Sequence, residues 1–146
     1  MHIHTIGFTQ KKASEFFSLL SDTTVTMLVD VRLNNRSQLA GFAKRDDLKF
    51  FLRELCQTDY VHMPDLAPTK QMLSAYKKGE IPWSEYEQRF LELLAQRHVE
   101  KMLSADELDK SCLLCSEHQP HFCHRRLVVE YLNRHWNTTI SVTHLV

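Results

Sequence analysis

The chain contains little glycine and little proline, with three glycines and four prolines among 146 residues. It has no G-x-G-x-x-G stretch, no P-loop, no G-x-S-x-G elbow and no H-E-x-x-H helix. These absences argue against a dinucleotide-binding fold, a P-loop hydrolase, a serine hydrolase and a zinc metalloprotease. Repeats, low-complexity tracts and Pro/Gly/Ser-rich linkers are absent too, so we predict a single domain over residues 1–146.

Neither sign of charge is in excess. Eighteen Lys and Arg residues balance eighteen Asp and Glu residues, and no basic run is longer than a pair. Binding to a nucleic-acid backbone needs a basic footprint, so we predict no nucleic-acid partner. No run approaches the roughly 18 apolar residues of a membrane span, and the first residues lack the apolar stretch of a signal peptide. We therefore expect a cytoplasmic protein without a membrane partner.

Cysteine is scarce as well. Four cysteines occur, without a regular framework of spacings. A chain of this length buries roughly 68–70% of its unfolded surface and needs no disulfide or structural metal to be stable. We expect free thiols in a reducing compartment.

Hydrophobic patterning predicts an α/β fold. Apolar and β-branched runs predict five strands, over residues 2–6, 25–31, 60–63, 111–117 and 140–145. Helical periodicity predicts helices over residues 14–20, 46–56, 68–78, from 82 onward and over 123–135. Alternation of the two favours a three-layer fold with a mainly parallel sheet of about five strands and helices on both faces. The segment 68–103 then forms a helical excursion between strands three and four.

Two details of the helices can be predicted from spacing. Ser14 is the expected N-cap of the first helix. In the second, the i, i+3, i+4, i+7 spacing places Leu48, Phe51, Leu52 and Leu55 on the buried face.

Ligands of parallel sheets bind beyond the carboxyl ends of the strands, and polar residues gather there. Asp30 and Arg32 share a face at the end of strand two, where they are expected to form a charge pair. Glu117 follows strand four and is a candidate general base. Gly7 at the end of strand one permits close approach of a ligand to the backbone.

The start of the last helix is a candidate for thiol chemistry. Cys123 lies in the first helical turn, where free N–H groups and the helix dipole favour a thiolate, and His124 and Arg125 follow it. The alternative is that Cys123 simply packs on the sheet.

A zinc site is a further alternative for this segment. Six potential ligands occur there: Cys112, Cys115, His118, His121, Cys123 and His124. On a strand, Cys112 and Cys115 lie about 10 Å apart on opposite faces, which argues against a chelating pair. A site of Cys115, His118, Cys123 and one more histidine stays open, but our prediction is that no metal binds.

Four segments together resemble a known family: HTIGFT, LVDVRLNNRS, YVHMPDLAP and LLCSEHQPHFCHRRLVVEYL. The chain resembles the family of domains of unknown function 488, similar in its T-I-G start, its D-V-R strand and its C-H-R helix start. The matching positions are Thr5 to Gly7, Asp30 to Arg32, Ser37, Cys115, Glu117 and Cys123 to Arg125. The resemblance implies a bacterial α/β domain but no particular reaction. One departure is Leu66-Ala67-Pro68, where relatives look to have L-G.

Three functions compete. The first is an acid/base enzyme acting on an anionic small molecule, nucleotide-like or sugar-phosphate-like. The second is a thiol enzyme of rhodanese-like layout, with Cys115 or Cys123 as nucleophile. The third is an interaction module with Trp83, Tyr86 and Phe90 as anchors.

The predicted catalytic residues are Asp30, Glu117, Cys123 and His124, and the predicted substrate-binding residues are Thr5, Gly7, Arg32, Ser37, Cys115 and Arg125. We predict no cofactor, and the sequence leaves the oligomeric state open.

Overall fold

One five-stranded sheet organises the molecule. The computed structural model describes residues 1–34, 41–116 and 123–146. Within them the strands are β1 (His2–Gly7), β2 (Met27–Asp30), β3 (Asp59–His62), β4 (Ser111–Cys115) and β5 (Ser141–Leu145). Their spatial order is β3-β2-β4-β1-β5, and every neighbouring pair is parallel. The predicted parallel sheet is confirmed.

Helices cover both faces of this sheet. Over the described segments they are α1 (Ala13–Ser21), α2 (Arg45–Phe51), α3 (Lys70–Lys77), α4 (Trp83–Arg97), α5 (Val99–Met102), α6 (Ala105–Leu108) and α7 (His124–His135). Buried residues of α1 and α2 pack on one face, and those of α4 and α7 pack on the other. The predicted three-layer α/β fold is confirmed. None of the helices in these segments has the length and apolar character needed to cross a membrane.

Strand β4 illustrates why the core is double-sided. All five of its residues are buried, as expected for an inner strand of a parallel sheet. Because side chains alternate along a strand, Cys112 and Leu114 join the core under α1, whereas Leu113 and Cys115 join the core under α7. The predicted separation of Cys112 from Cys115 is confirmed, which excludes the two as a chelating pair.

The second helix differs from its prediction in the last turn. It ends at Phe51, and Leu52–Cys56 form a π-helical turn. A π turn bonds i to i+5, so residues within it, such as Leu55, no longer follow the α-helical period. Leu48 and Leu52 are buried as predicted, but Leu55 is 57% exposed. The burial predicted for Leu55 is wrong for this reason.

The first helix also begins differently from its prediction. Its N-cap is Lys12, which makes no side-chain capping bond, and Ser14 lies inside the helix. The N-cap predicted for Ser14 is wrong, because the N-cap lies two residues earlier, at Lys12, and the helix starts at Ala13.

The excursion between β3 and β4 is confirmed, and it is held by defined caps. Thr69 accepts a hydrogen bond from the Met72 amide at 3.2 Å and starts α3. Gly79 takes a left-handed backbone (φ 75°) just after α3, and α4 starts after Pro82. The short helices α5 and α6 follow, which the sequence pattern does not predict.

Candidate functional site

The carboxyl ends of three neighbouring strands meet at one edge of the sheet. The last residues of β1, β2 and β4 are Gly7, Asp30 and Cys115, and Gly7 lies directly opposite Cys115 in the register. A cavity of about 280 Å³ opens at this edge. Four of the predicted site residues line it: Arg32, Cys115, Cys123 and His124.

Asp30 and Arg32 form the predicted charge pair beside this cavity. The Nε and Nη2 atoms of Arg32 donate to the two different carboxylate oxygens of Asp30, each at 2.8 Å. Neither side chain is exposed by more than 2%. The backbone N–H of Arg32 donates to Asp30 as well, at 3.1 Å. Such a two-point contact fixes the plane of the guanidinium group.

Tyr60 and His62 on the edge strand β3 complete this arrangement. The Tyr60 hydroxyl donates to Asp30 Oδ2 at 2.6 Å, and the His62 ring bonds the carbonyl oxygen of Arg32 at 2.9 Å. The carboxylate of Asp30 thus accepts four hydrogen bonds, which occupies about all of its lone-pair directions. This geometry suits Asp30 to positioning Arg32, and its catalytic role stays a prediction.

The two cysteines of the site are joined. A disulfide links Cys115 at the end of β4 to Cys123, the N-cap of α7. Our expectation of free thiols is therefore wrong for this pair, because the end of β4 and the start of α7 lie together at this edge of the sheet. Cys56 and Cys112 are free. The sequence offers no signal for this pairing beyond the shared position of both residues near strand or helix ends.

The disulfide lies in a polar, buried setting. Arg125 is fully buried, and its Nη1 atom donates to the Sγ of Cys115 at 3.6 Å. Cys123 lies at the amino end of a 12-residue helix, where the dipole favours negative charge. After reduction, both sulfurs would have a group nearby that stabilises a thiolate.

His124 contributes a neutral imidazole. Its Nε2 atom donates to the carbonyl oxygen of Val31 at 2.6 Å. Burial lowers the pKa of His124 to about 4, so the ring carries no charge at neutral pH. With Nε2 protonated for this bond, Nδ1 keeps its lone pair.

The same three residues form a donor set for a metal. The Sγ atoms of Cys115 and Cys123 and a ring nitrogen of His124 lie within 4.8 Å of one another. Thiolate and imidazole ligands suit a thiophilic ion such as zinc, provided that the disulfide is first reduced. The zinc site that the sequence left open also includes His118, which lies outside the described residues.

Three aromatic side chains form part of the cavity wall. Tyr76 from α3 and Trp83 and Tyr86 from α4 line it, with ring centroids 5.0 to 5.5 Å apart. We did not predict these residues as part of this site, because aromatic residues at helical spacing are typical of cores and interfaces. Tyr86 and Phe90 are at most 2% exposed, so they do not form the exposed anchors of the interaction-module hypothesis.

The remaining predicted residues lie nearby or outside the description. Thr5 is buried, and its hydroxyl bonds His144 Nδ1 at 2.6 Å rather than lining the cavity. Ser37 and Glu117 lie outside the described residues. A larger groove of about 700 Å³, between α1 and α2, is lined by none of the predicted site residues.

Comparison with known proteins identifies one family. The model of the family described as "Domain of unknown function DUF488" matches residues 12–132. No curated protein matches the chain. No solved structure matches it either.

Proposed function

The chain belongs to the DUF488 family, and because that description names no reaction, we propose its function from the site: a thiol-dependent enzyme that exchanges disulfides with a small molecule. The observation that carries the proposal is the Cys115–Cys123 disulfide at a cavity also lined by Arg32 and His124. In a reducing cytoplasm, where we infer that the protein resides, disulfides are usually transient and catalytic or redox-sensing.

Cys115 is the nucleophile in this proposal. Its sulfur receives a hydrogen bond from the buried guanidinium of Arg125 at 3.6 Å, which stabilises a thiolate. Cys123 is the resolving thiol, since it is the disulfide partner of Cys115. The other cysteines are poor candidates: burial raises the pKa of the Cys112 thiol, and Cys56 lies away from the cavity, beside Ser21.

The exchange proceeds in two displacements. The Cys115 thiolate attacks one sulfur of a substrate disulfide, forms a mixed disulfide with that half and expels the other half as a thiolate. The Cys123 sulfur then attacks Sγ of Cys115, and its proton leaves with the second half as a free thiol. The substrate gains two electrons, the protein dithiol loses two, and a cellular dithiol restores the reduced enzyme.

Two of the predicted site residues, Arg32 and His124, also have roles in this proposal. Arg32 would hold an anionic substrate, and His124 would accept a hydrogen bond from the resolving thiol at Nδ1. A general base among the carboxylates is not needed for either displacement, because the attacking group is already a thiolate.

Trapping of the mixed disulfide tests the proposal. Pre-reduced protein, freed of reductant, is mixed with hydroxyethyl disulfide and followed by mass spectrometry. We expect the wild type to form the Cys115–Cys123 disulfide, and Cys123→Ser to accumulate a mixed disulfide on Cys115. Cys115→Ser should lose the rapid reaction with hydroxyethyl disulfide. Cys56→Ser is the matched control and should react as the wild type does.

Two results would overturn the proposal. One is a Cys115–Cys123 bond that phosphine reductants open only when the protein unfolds, which would make it a structural disulfide. The other is equal reaction rates at Cys56 and Cys115, because a tuned site must react faster than an ordinary thiol.

A further inference from the structure

The cavity beside the disulfide is lined by three aromatic rings. The rings of Trp83 and Tyr86 are stacked, 23° from parallel and 5.1 Å apart, and Tyr76 leans on both. Aromatic faces favour offset stacking with another ring. The cavity volume of about 280 Å³ lies just below the usual range of ligand pockets, which limits an enclosed ligand to about one ring.

Arg32, which lines the same cavity, has one donor that is not used. Its Nε and Nη2 atoms are taken by Asp30, but Nη1 is buried and makes no hydrogen bond to any described residue. The residue is 2% exposed and lines the cavity. A buried N–H without a partner is costly, so a ligand that accepts a hydrogen bond there gains that free energy.

Tyr86 supplies a second donor. It is 2% exposed, and its hydroxyl makes no hydrogen bond to another described residue. Burial and the neighbouring Tyr76 raise its pKa, so the hydroxyl keeps its proton at neutral pH. Two donor residues that line one cavity beside an aromatic wall match a carboxylate or sulfonate attached to a ring.

The approach to the cavity is positively charged. Lys77 lines both this cavity and a neighbouring shallow depression, which Lys70 and Lys78 also line. Lysines at the rim of a cleft attract anions, and salt weakens this attraction.

We propose that the cavity binds a monocyclic aromatic anion, with its ring against Trp83 and its acidic group on Arg32 Nη1 and the Tyr86 hydroxyl. This inference deepens the proposed function, since it names the substrate class of the same site: a disulfide carrying an aromatic acid. A nucleoside monophosphate shares the chemistry of a flat ring with an anion and is the other source to distinguish.

Binding to the oxidised protein tests this class without any thiol chemistry. The Trp136→Phe variant leaves Trp83 as the sole tryptophan, so quenching of its fluorescence reports on the cavity. We expect benzoate or benzenesulfonate to quench it. Cyclohexanecarboxylate and benzamide should bind about tenfold more weakly, because the first lacks an aromatic ring and the second lacks the charge. Tyr86→Phe should weaken benzoate binding about tenfold by removing one hydrogen bond to a charged group.

The competing ligands decide the outcome. If adenosine monophosphate binds more tightly than benzoate, the cavity binds a nucleotide. That result would overturn the proposal of a monocyclic aromatic ligand. Equal binding of benzoate and benzamide, or no quenching by any ligand, would overturn the anion site itself. Because the oxidised protein performs no exchange, these results are independent of the trapping experiment, and either proposal can fail alone.

A second variant guards against misfolding. Trp83→Leu removes the proposed stacking surface at a partly exposed position and should weaken benzoate binding about fivefold. Its binding is followed by calorimetry, since the fluorescent reporter is lost. Unchanged affinity in a folded Trp83→Leu protein would contradict the proposed position of the ring.

Discussion

Asp30 accepts two parallel hydrogen bonds from Arg32, each of 2.8 Å, although both side chains are almost fully buried. Tyr60 adds a third side-chain donor to the same carboxylate. This cluster holds Arg32 at the cavity, and it determines how the edge of the sheet should respond to mutation.

Removal of the Asp30 charge should be strongly destabilising. We expect Asp30→Ala to cost about 3–5 kcal/mol of unfolding free energy, because it leaves the Arg32 guanidinium buried without its counter-ion. Asp46→Ala is the matched control: its partner Arg45 is exposed, and an exposed pair contributes roughly 0–1 kcal/mol. Urea unfolding measures both, and equal losses would show that the Asp30 pair is not buried in solution.

Stability should fall as the solution is acidified from pH 6.5 to pH 4. Burial lowers the pKa of His124 to about 4, so between these values the unfolded chain binds a proton that the folded chain refuses. The expected loss is up to about 3 kcal/mol. His4 and His144, whose pKa values are also lowered by burial, add to the same slope.

Unfolding free energies of the wild type and His124→Gln across this range check the pH effect. The variant should lose most of the slope, since glutamine does not titrate. His98→Asn is the control, because His98 is exposed and asparagine tolerates its left-handed backbone (φ 53°). A slope that is unchanged in His124→Gln would contradict the assignment to His124.

Reduction of the disulfide should lower stability modestly. The bond closes a loop with a sequence separation of 8, for which the chain-entropy model gives about 2.5 kcal/mol. Unfolding with and without a phosphine reductant measures this difference. The Cys115→Ser/Cys123→Ser double variant should be insensitive to the reductant, and a reductant effect that persists there would point to another cause.

Because of the π-helical turn, two leucines that the sequence pattern predicts on one buried face should differ in their effect on stability. Leu48 is fully buried, so Leu48→Ala should cost about 2–5 kcal/mol. Leu55 is 57% exposed, and Leu55→Ala should change stability by less than about 0.5 kcal/mol. Similar losses for the two variants would indicate that the last turn is α-helical and buries Leu55.

Much of the architecture follows from the sequence. Runs of β-branched residues alternating with helical periods predict the parallel sheet and its two helical layers, because these patterns report on local geometry and burial. The charge pair of Asp30 and Arg32 is predictable for the same reason: residues two apart on a strand share a face. The edge of the sheet that holds the cavity follows from strand direction alone.

Tertiary structure alone decided the chemistry of the site. Cys115 and Cys123 are joined because the end of β4 and the start of α7 lie together, and sequence spacing does not encode this. Tyr76, Trp83 and Tyr86 become a cavity wall because α3 and the start of α4 lie over the sheet edge, although their spacing alone is that of an ordinary buried stripe. Periodicity determines which side of an element is apolar, whereas packing between distant elements determines what that side faces.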